Sequence, residues 1–172
     1  VTISADVLPQ IKEYERVSTT AVNAYVGPAV GRYLGRLENR LKDSGYAGPV
    51  LIILSHGGVA PIQDTIRLAA GTVLSGPAGG VAGARRSAEL LGAPNLIPFD
   101  MGGTSTDISL ISGGEAALSS DRGVGGERVA LPSLDIVSIG AGGGSIARVD
   151  AGGVLHVGPE SSGAQPGPAC YG

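Results

Sequence analysis

From Ser18 onward, apolar residues return at three- and four-residue steps: Val22, Tyr25, Val26, Ala29, Val30, Tyr33, Leu34, Leu37 and Leu41. That spacing predicts a helix. Ser18 or Thr19 would cap its start, Gly45 would end it, and Pro28 should kink or interrupt it. Residues 1–15 read as extended chain broken at Pro9. Arg32, Arg36 and Arg40 recur every fourth position, which fits a solvated face better than an anion site. The continuous apolar run 50–54 predicts a buried parallel strand. Ser55, His56, Gly57 and Gly58 would then lie at its C-terminal end, where α/β sheets hold ligands. His56 reads there either as a ligand or base or as a neutral loop histidine. Residues 62–70 predict a short helix. Residues 72–92 predict a strand, a Gly76-Pro77 turn and a helix to about Leu91, with Pro77 in the first turn. Gly79, Gly80 and Gly83 inside that helix cost about 1 kcal/mol each against alanine. Close packing is the favoured reason, a ligand at the helix start the other.

Beyond residue 95 the period shortens to two. "NLIPFD", "ISLIS", "EAALSS" and "LDIVSIG" read as strands, with a turn at Gly113-Gly114. "IARVDAGGVLHVG" reads as a hairpin over Gly152-Gly153, with His156 structural, and the tail from Gly158 as loop. A helix-rich first half thus precedes a β-meander, and the helix ending near Leu91 links them.

Composition narrows the classes. The 172 residues are 42% hydrophobic and 16% charged, which suits a folded core and argues against long disorder. The net charge of −3 argues against a nucleic-acid surface. No run of about 18 apolar residues marks a membrane span, and no signal peptide is evident, so a cytoplasmic protein is expected. Cys170 is the only cysteine and can form no intrachain disulfide. It reads as a packed or loop thiol rather than a nucleophile. The chain begins at Val1 and stops after a Gly/Pro-rich loop, which suggests a piece of a longer polypeptide.

The 30 glycines cluster, and one cluster carries chemistry. In "FDMGGTSTDISL" (99–110), Asp100 and Asp107 flank Gly102, Gly103, Thr104 and Ser105. A hairpin here would let bare backbone amides converge into an anion-binding concavity, with two hydroxyls adding donors. Asp100 would repel a phosphate, so its partner is a hydrated Mg²⁺ beside that phosphate or an attacking water. Asp107 is the second candidate metal carboxylate. A hairpin that merely turns is the alternative. No G-x-x-x-x-G-K-[ST] occurs, and the run 140–145 fits a dinucleotide fingerprint only loosely.

"DMGGTSTDISL" resembles the second phosphate motif of the actin, hexokinase and heat-shock chaperone ATPase superfamily. Within it, "EYERVSTTAVNAYVGP", "LSGPAGGVAGA", "FDMGGTSTDISLI", "GAGGGSIARVDAGG" and "VGPESSGAQPGPACYG" resemble the signature blocks of the hydantoinase A/5-oxoprolinase family, over nearly the whole chain. The resemblance implies a partial ribonuclease H-like, actin/hexokinase-type α/β fold. Residues 1–95 would end the first lobe with its connecting helix, and 96–172 would begin the second. It implies ATP and Mg²⁺ as cofactors: Asp100 organises metal or water, and Gly102, Gly103, Thr104 and Ser105 hold the β- and γ-phosphates. Gly142, Gly143, Gly144 and Ser145 would line the nucleotide cleft, and Gly76 and Pro77 would mark the lobe hinge. Two positions depart from the family pattern: His56 stands where asparagine is usual, and Gln165 where an acid is usual.

The implied activity is ATP-dependent opening of a cyclic amide, with a hydantoinase B-type partner subunit, the remainder of the parent chain, and no nucleic acid or membrane. The family's first phosphate loop and its adenosine segment are not in these residues, so the isolated chain is expected to bind nucleotide poorly and to turn over nothing. Two other functions share the same phosphate motif: a subunit of an acetone- or acetophenone-type carboxylase, and a chaperone- or actin-like ATP switch.

Overall fold

A computed structural model describes residues 1–171. The chain folds as two units, 1–82 with 117–134, and 83–116 with 135–172. Helix α4 (Ser75–Leu91) runs through the boundary.

The first unit is organised on α2 (Glu13–Asp43), preceded by a short α1 (Ser4–Val7) where extended chain was expected. The helix starts five residues before Ser18 and runs unbroken through Pro28. Pro28 and Ala24 both lie on exposed positions, so the carbonyl that Pro28 cannot bond reaches water. Ser18 and Thr19 cap nothing. Both are buried and reach across to residues 128–130. Ser18 Oγ donates to Arg128 O at 2.6 Å, and Thr19 Oγ1 accepts the Ala130 N–H at 2.9 Å. Asn23 continues this polar seam, donating to Arg67 O and accepting from the Ala70 N–H. Gly45 ends the helix as expected. Its φ is +85°, its N–H donates to Lys42 O, and the Tyr46 N–H donates to Leu41 O, the paired bonds of a Schellman motif. Arg32, Arg36 and Arg40 all lie on exposed positions, the solvated face expected.

The run 50–54 is not a buried parallel strand. β1 (Leu51–Ile53) pairs antiparallel with β2 (Val59–Pro61), and Leu51 and Ile53 stay exposed. The turn between them decides this. Gly57 takes φ +82°, and the Leu54 N–H bonds back to Gly58 O at 2.8 Å. Next come α3 (Ile62–Arg67) and a 3₁₀ turn (Ala69–Thr72) in place of the expected strand. Leu74 precedes α4 at φ +60°, a left-handed conformation that costs a side-chain-bearing residue about 1–2 kcal/mol. Pro77 falls in the first turn of α4. A Cβ on Gly79 would sit 3.1 Å from Ile53 Cδ1, the tight packing its glycine permits, whereas Gly83 has open space.

Short strands complete this unit: β7 (Leu118–Ser119) pairs with β10 (Ser133–Leu134), and β8 (Arg122–Val124) with β9 (Glu127–Val129). The core joins Leu8, Ala70, Val129, Ala130 and Leu131. Arg128 grips Asp121 through two contacts of 2.6 Å.

In the second unit, β3 (Phe99–Met101), β4 (Thr106–Ser109) and β11 (Ile136–Ile139) form an antiparallel sheet with β4 in the middle. β5 (Ile111–Ser112) turns at Gly113-Gly114 onto β6 (Glu115–Ala116). Both turn glycines have positive φ. β12 (Ser145–Val149) and β13 (Leu155–Ser161) form the expected hairpin, so the strand continues into what had read as tail loop.

Candidate functional site

The site is built from the β3–β4 hairpin. Asp100 and Asp107 are direct cross-strand partners, and Asp107 is in turn opposite Ser138 on β11. Partners in register point to the same face of a sheet, so Asp100, Asp107 and Ser138 form one row. Asp100 is exposed and Asp107 half-buried. Ser138 Oγ donates to Asp107 Oδ1. Two carboxylates facing each other across an antiparallel pair repel, and among the described residues no basic side chain pairs with either of them.

The turn holds donors without acceptors. The Gly102 N–H closes the hairpin on Ser105 O at 2.9 Å, while the amides of Gly103, Thr104 and Ser105 donate no hydrogen bond within the described residues. The hydroxyls of Thr104 and Ser105 are likewise unengaged there. Neither Gly102 nor Gly103 has a left-handed φ. A Cβ on Gly102 would make only an ordinary 3.6 Å contact, and one on Gly103 would meet nothing within 4 Å. Nothing inside this chain requires glycine at either position. The space a Cβ would fill is open to an incoming group.

The loop 140–145 has the opposite character. A Cβ on Gly142 would lie 2.7 Å from Gly102 O and 2.9 Å from the Ser105 nitrogen, and one on Gly144 would lie 2.9 Å from Gly103 O. The Gly143 and Gly144 N–H groups donate to Gly102 O and Gly103 O at 2.9 and 2.7 Å, and those of Gly142 and Ser145 are satisfied within the loop. Fully buried Thr106 ties the loop to β4, its hydroxyl donating to Ala141 O at 2.6 Å. The loop therefore braces the turn backbone to backbone, with its own amides already engaged.

No group of three or more His, Cys, Asp or Glu side chains gathers among the described residues. A cation at Asp100 and Asp107 would complete its shell from phosphate oxygens and water, which is how Mg²⁺ is commonly held. The donor-rich turn beside two carboxylates fits a magnesium-bound polyphosphate.

Other candidates lie elsewhere. His56 is exposed in the β1–β2 turn and accepts the Gly58 N–H through Nδ1 at 3.2 Å. Its neighbour Ser55 is buried, with Oγ 2.6 Å from the carbonyls of Gly71 and Val73, and is a structural joint. His156 Nε2–H donates to Asp150 Oδ2 at 2.8 Å, and the Gly152 and Val154 amides donate to Asp150 Oδ1. The His156 bond first, then those amides, hold the Asp150 carboxyl below its usual range. Cys170 and Gln165 are exposed. A groove of about 1070 Å³ opens in the first unit among α1, α2 and α3. It holds none of the predicted site residues, and the hairpin, where unengaged amides and hydroxyls meet two facing carboxylates, remains the stronger candidate. The sequence pattern did not single out Ser138 or Thr106; the one available signal for Ser138 was a lone polar residue in the otherwise apolar strand β11, and Thr106, in the largely polar strand β4, carried none.

The sequence pattern of the hydantoinase/oxoprolinase family matches residues 16–172. The chain is 44% identical over 167 residues to the caprolactamase subunit alpha of Pseudomonas jessenii, covering 97% of this chain and 24% of that protein. It is 39% identical over 174 residues to 5-oxoprolinase 1 of Arabidopsis thaliana, covering 99% and 13%. Among solved structures, a nucleotide-free acetone carboxylase matches with a TM-score of 0.78 and 34% identity, over 92% of this chain and 22% of that one. The ATP-dependent caprolactamase of Pseudomonas jessenii matches with a TM-score of 0.76 and 40% identity, over 98% and 24%. The chain thus spans about a quarter or less of the length of each of these relatives. Matched along its length in sequence, and over at least nine-tenths of its residues in structure, the chain belongs to the hydantoinase/oxoprolinase family.

Proposed function

We propose that this chain supplies the phosphate-gripping hairpin and connecting helix of an ATP-dependent cyclic-amide hydrolase. Its fold is one portion of an actin-like, two-lobed ATPase, with 1–95 ending one lobe and 96–172 beginning the next. The observation that carries the reading is the contrast between two glycine pairs. Gly142 and Gly144 are required by the chain's own packing, whereas Gly102 and Gly103 answer to nothing within it. Glycine without an internal reason, beside unengaged amides, points to close approach by a ligand.

In this reading the amides of Gly103, Thr104 and Ser105 and the two hydroxyls hold the terminal phosphates. Asp100 and Asp107 hold Mg²⁺ through its water shell, and Asp100 orients a water. The loop 140–145 keeps the turn open by fixing the carbonyls of Gly102 and Gly103. When bound, MgATP supplies the phosphoryl group that turns a resonance-stabilised amide oxygen into a leaving group. The hairpin's part is positioning and charge stabilisation. Several relatives are named as subunits, among them caprolactamase subunit alpha and the acetophenone carboxylase gamma subunit, which supports a partner subunit, here of hydantoinase B type.

The test is phosphate release by the intact protein with its partner, offered hydantoin, 5-oxoproline, caprolactam, or acetone with bicarbonate. Phosphate release matched one-to-one by ring opening, and lost in Asp100→Asn, is the expected result. Ring opening without ATP would overturn it; phosphate release only with acetone and bicarbonate would move the assignment to a carboxylase subunit.

A further inference from the structure

Across the sheet, Asp100, Asp107 and Ser138 occupy one register row on β3, β4 and β11. The middle residue has neighbours of opposite character: a second carboxylate on one side and a hydroxyl donor on the other. With nothing to hold it, a half-buried Asp107 carboxylate would rotate away from Asp100, because like charges directly opposite repel. Ser138 Oγ bonds Asp107 Oδ1, which fixes the carboxylate's rotation about its terminal bond. Among the described residues, Oδ2 is left without a partner. Ser138 has no evident packing reason to be there: it is exposed, and it interrupts the apolar run of Ile136, Val137 and Ile139.

We infer that Ser138 is a positioning residue for the cation: by occupying one oxygen of Asp107, it presents the other, together with Asp100, to the water shell of a divalent ion. The inference rests on the phosphate-hairpin reading. It assigns Ser138 a role through Asp107 and no contact with substrate. A neutral donor suits the task better than lysine or arginine, whose charge would cancel the field that attracts the ion. Threonine keeps the hydroxyl and fits a strand, so it is the conservative replacement.

The experiment uses the intact protein with Ser138→Ala, Ser138→Thr and Asp100→Asn. Mn²⁺ binding is read by electron paramagnetic resonance in the presence of a non-hydrolysable ATP analogue, and melting temperature is read in parallel. Ser138→Ala is expected to weaken Mn²⁺ binding about tenfold with an unchanged melting temperature, and Ser138→Thr to recover it to within about twofold of the parent. In steady state, the Mg²⁺ needed for half-maximal rate should rise in Ser138→Ala while KM for the amide stays put. Parent-like Mn²⁺ affinity in Ser138→Ala overturns the inference, as does an equal loss in alanine and threonine variants. Asp100→Asn separates the two readings. If it abolishes Mn²⁺ binding while Ser138→Ala does nothing, only the positioning role fails. If it too leaves binding intact, the phosphate-hairpin reading fails with it.

Discussion

Gly103 and Gly142 carry opposite obligations despite being the same residue type. Gly103→Ala adds a methyl into open space and should leave the urea midpoint unchanged or raise stability by up to about 1 kcal/mol through the unfolded chain. The same change should lower nucleotide affinity of the intact protein at least tenfold. Gly142→Ala drives a Cβ to 2.7 Å from Gly102 O and should cost about 1–3 kcal/mol as overpacking does, read as a lower urea midpoint. Equal losses in both variants would remove the distinction on which the site assignment stands. Asp150 offers a pH test. Its folded carboxyl lies below the ordinary value, chiefly through the His156 bond. The stability it contributes is therefore fully present above about pH 4, the ordinary carboxylate value, and is lost as pH falls through the lower folded value. Asp121, held low first by its bond from Arg128, adds in the same direction. Urea midpoints measured from about pH 6 to about pH 2 should fall, and Asp150→Asn should flatten part of that slope.

Helix α2 shows how an element is fastened by residues that its periodicity does not advertise. Ser18, Thr19 and Asn23 are buried polar side chains that satisfy backbone groups at 128–130 and 67–70. Thr19→Val keeps the shape and orphans the Ala130 N–H, which should cost about 1–3 kcal/mol, measured by urea unfolding. A loss under about 0.5 kcal/mol would mean that water replaces the hydroxyl. Periodicity placed the body of this helix and its glycine stop, because both are local. It missed the earlier start, which partners distant in sequence hold, and the passage through Pro28, where the freed carbonyl faces solvent; neither is recorded in local spacing. The hairpin at 51–61 escapes local pattern for a related reason: a short apolar run looks the same in a parallel strand and in an exposed hairpin. Only the path of the turn at Gly57 separates them.

Considered as a molecule, the chain leaves much apolar surface open. On the β3–β4–β11 sheet, Phe99, Met101, Val137 and Ile139 are all exposed, a patch of the kind that binds other surfaces. The 172-residue chain in isolation should therefore enhance the fluorescence of an apolar dye while folded, and Phe99→Ser with Val137→Thr should reduce that signal by about half or more. No enhancement would mean that the sheet face is covered in solution. No helix among the described residues is long and apolar enough to cross a membrane.

The hairpin of Asp100 and Asp107, the turn at Gly113-Gly114, the Gly152-Gly153 hairpin and the family itself were legible from residues alone. Each local feature depends on neighbours within about a dozen positions, where glycine freedom and alternating polarity leave few options. The division of labour among the glycines was not legible, nor were Ser138 behind Asp107 and Thr106 behind the loop at Ala141. Those follow from register and from which backbone closes on which. Partners 31 and 35 residues apart leave no trace of that in local pattern.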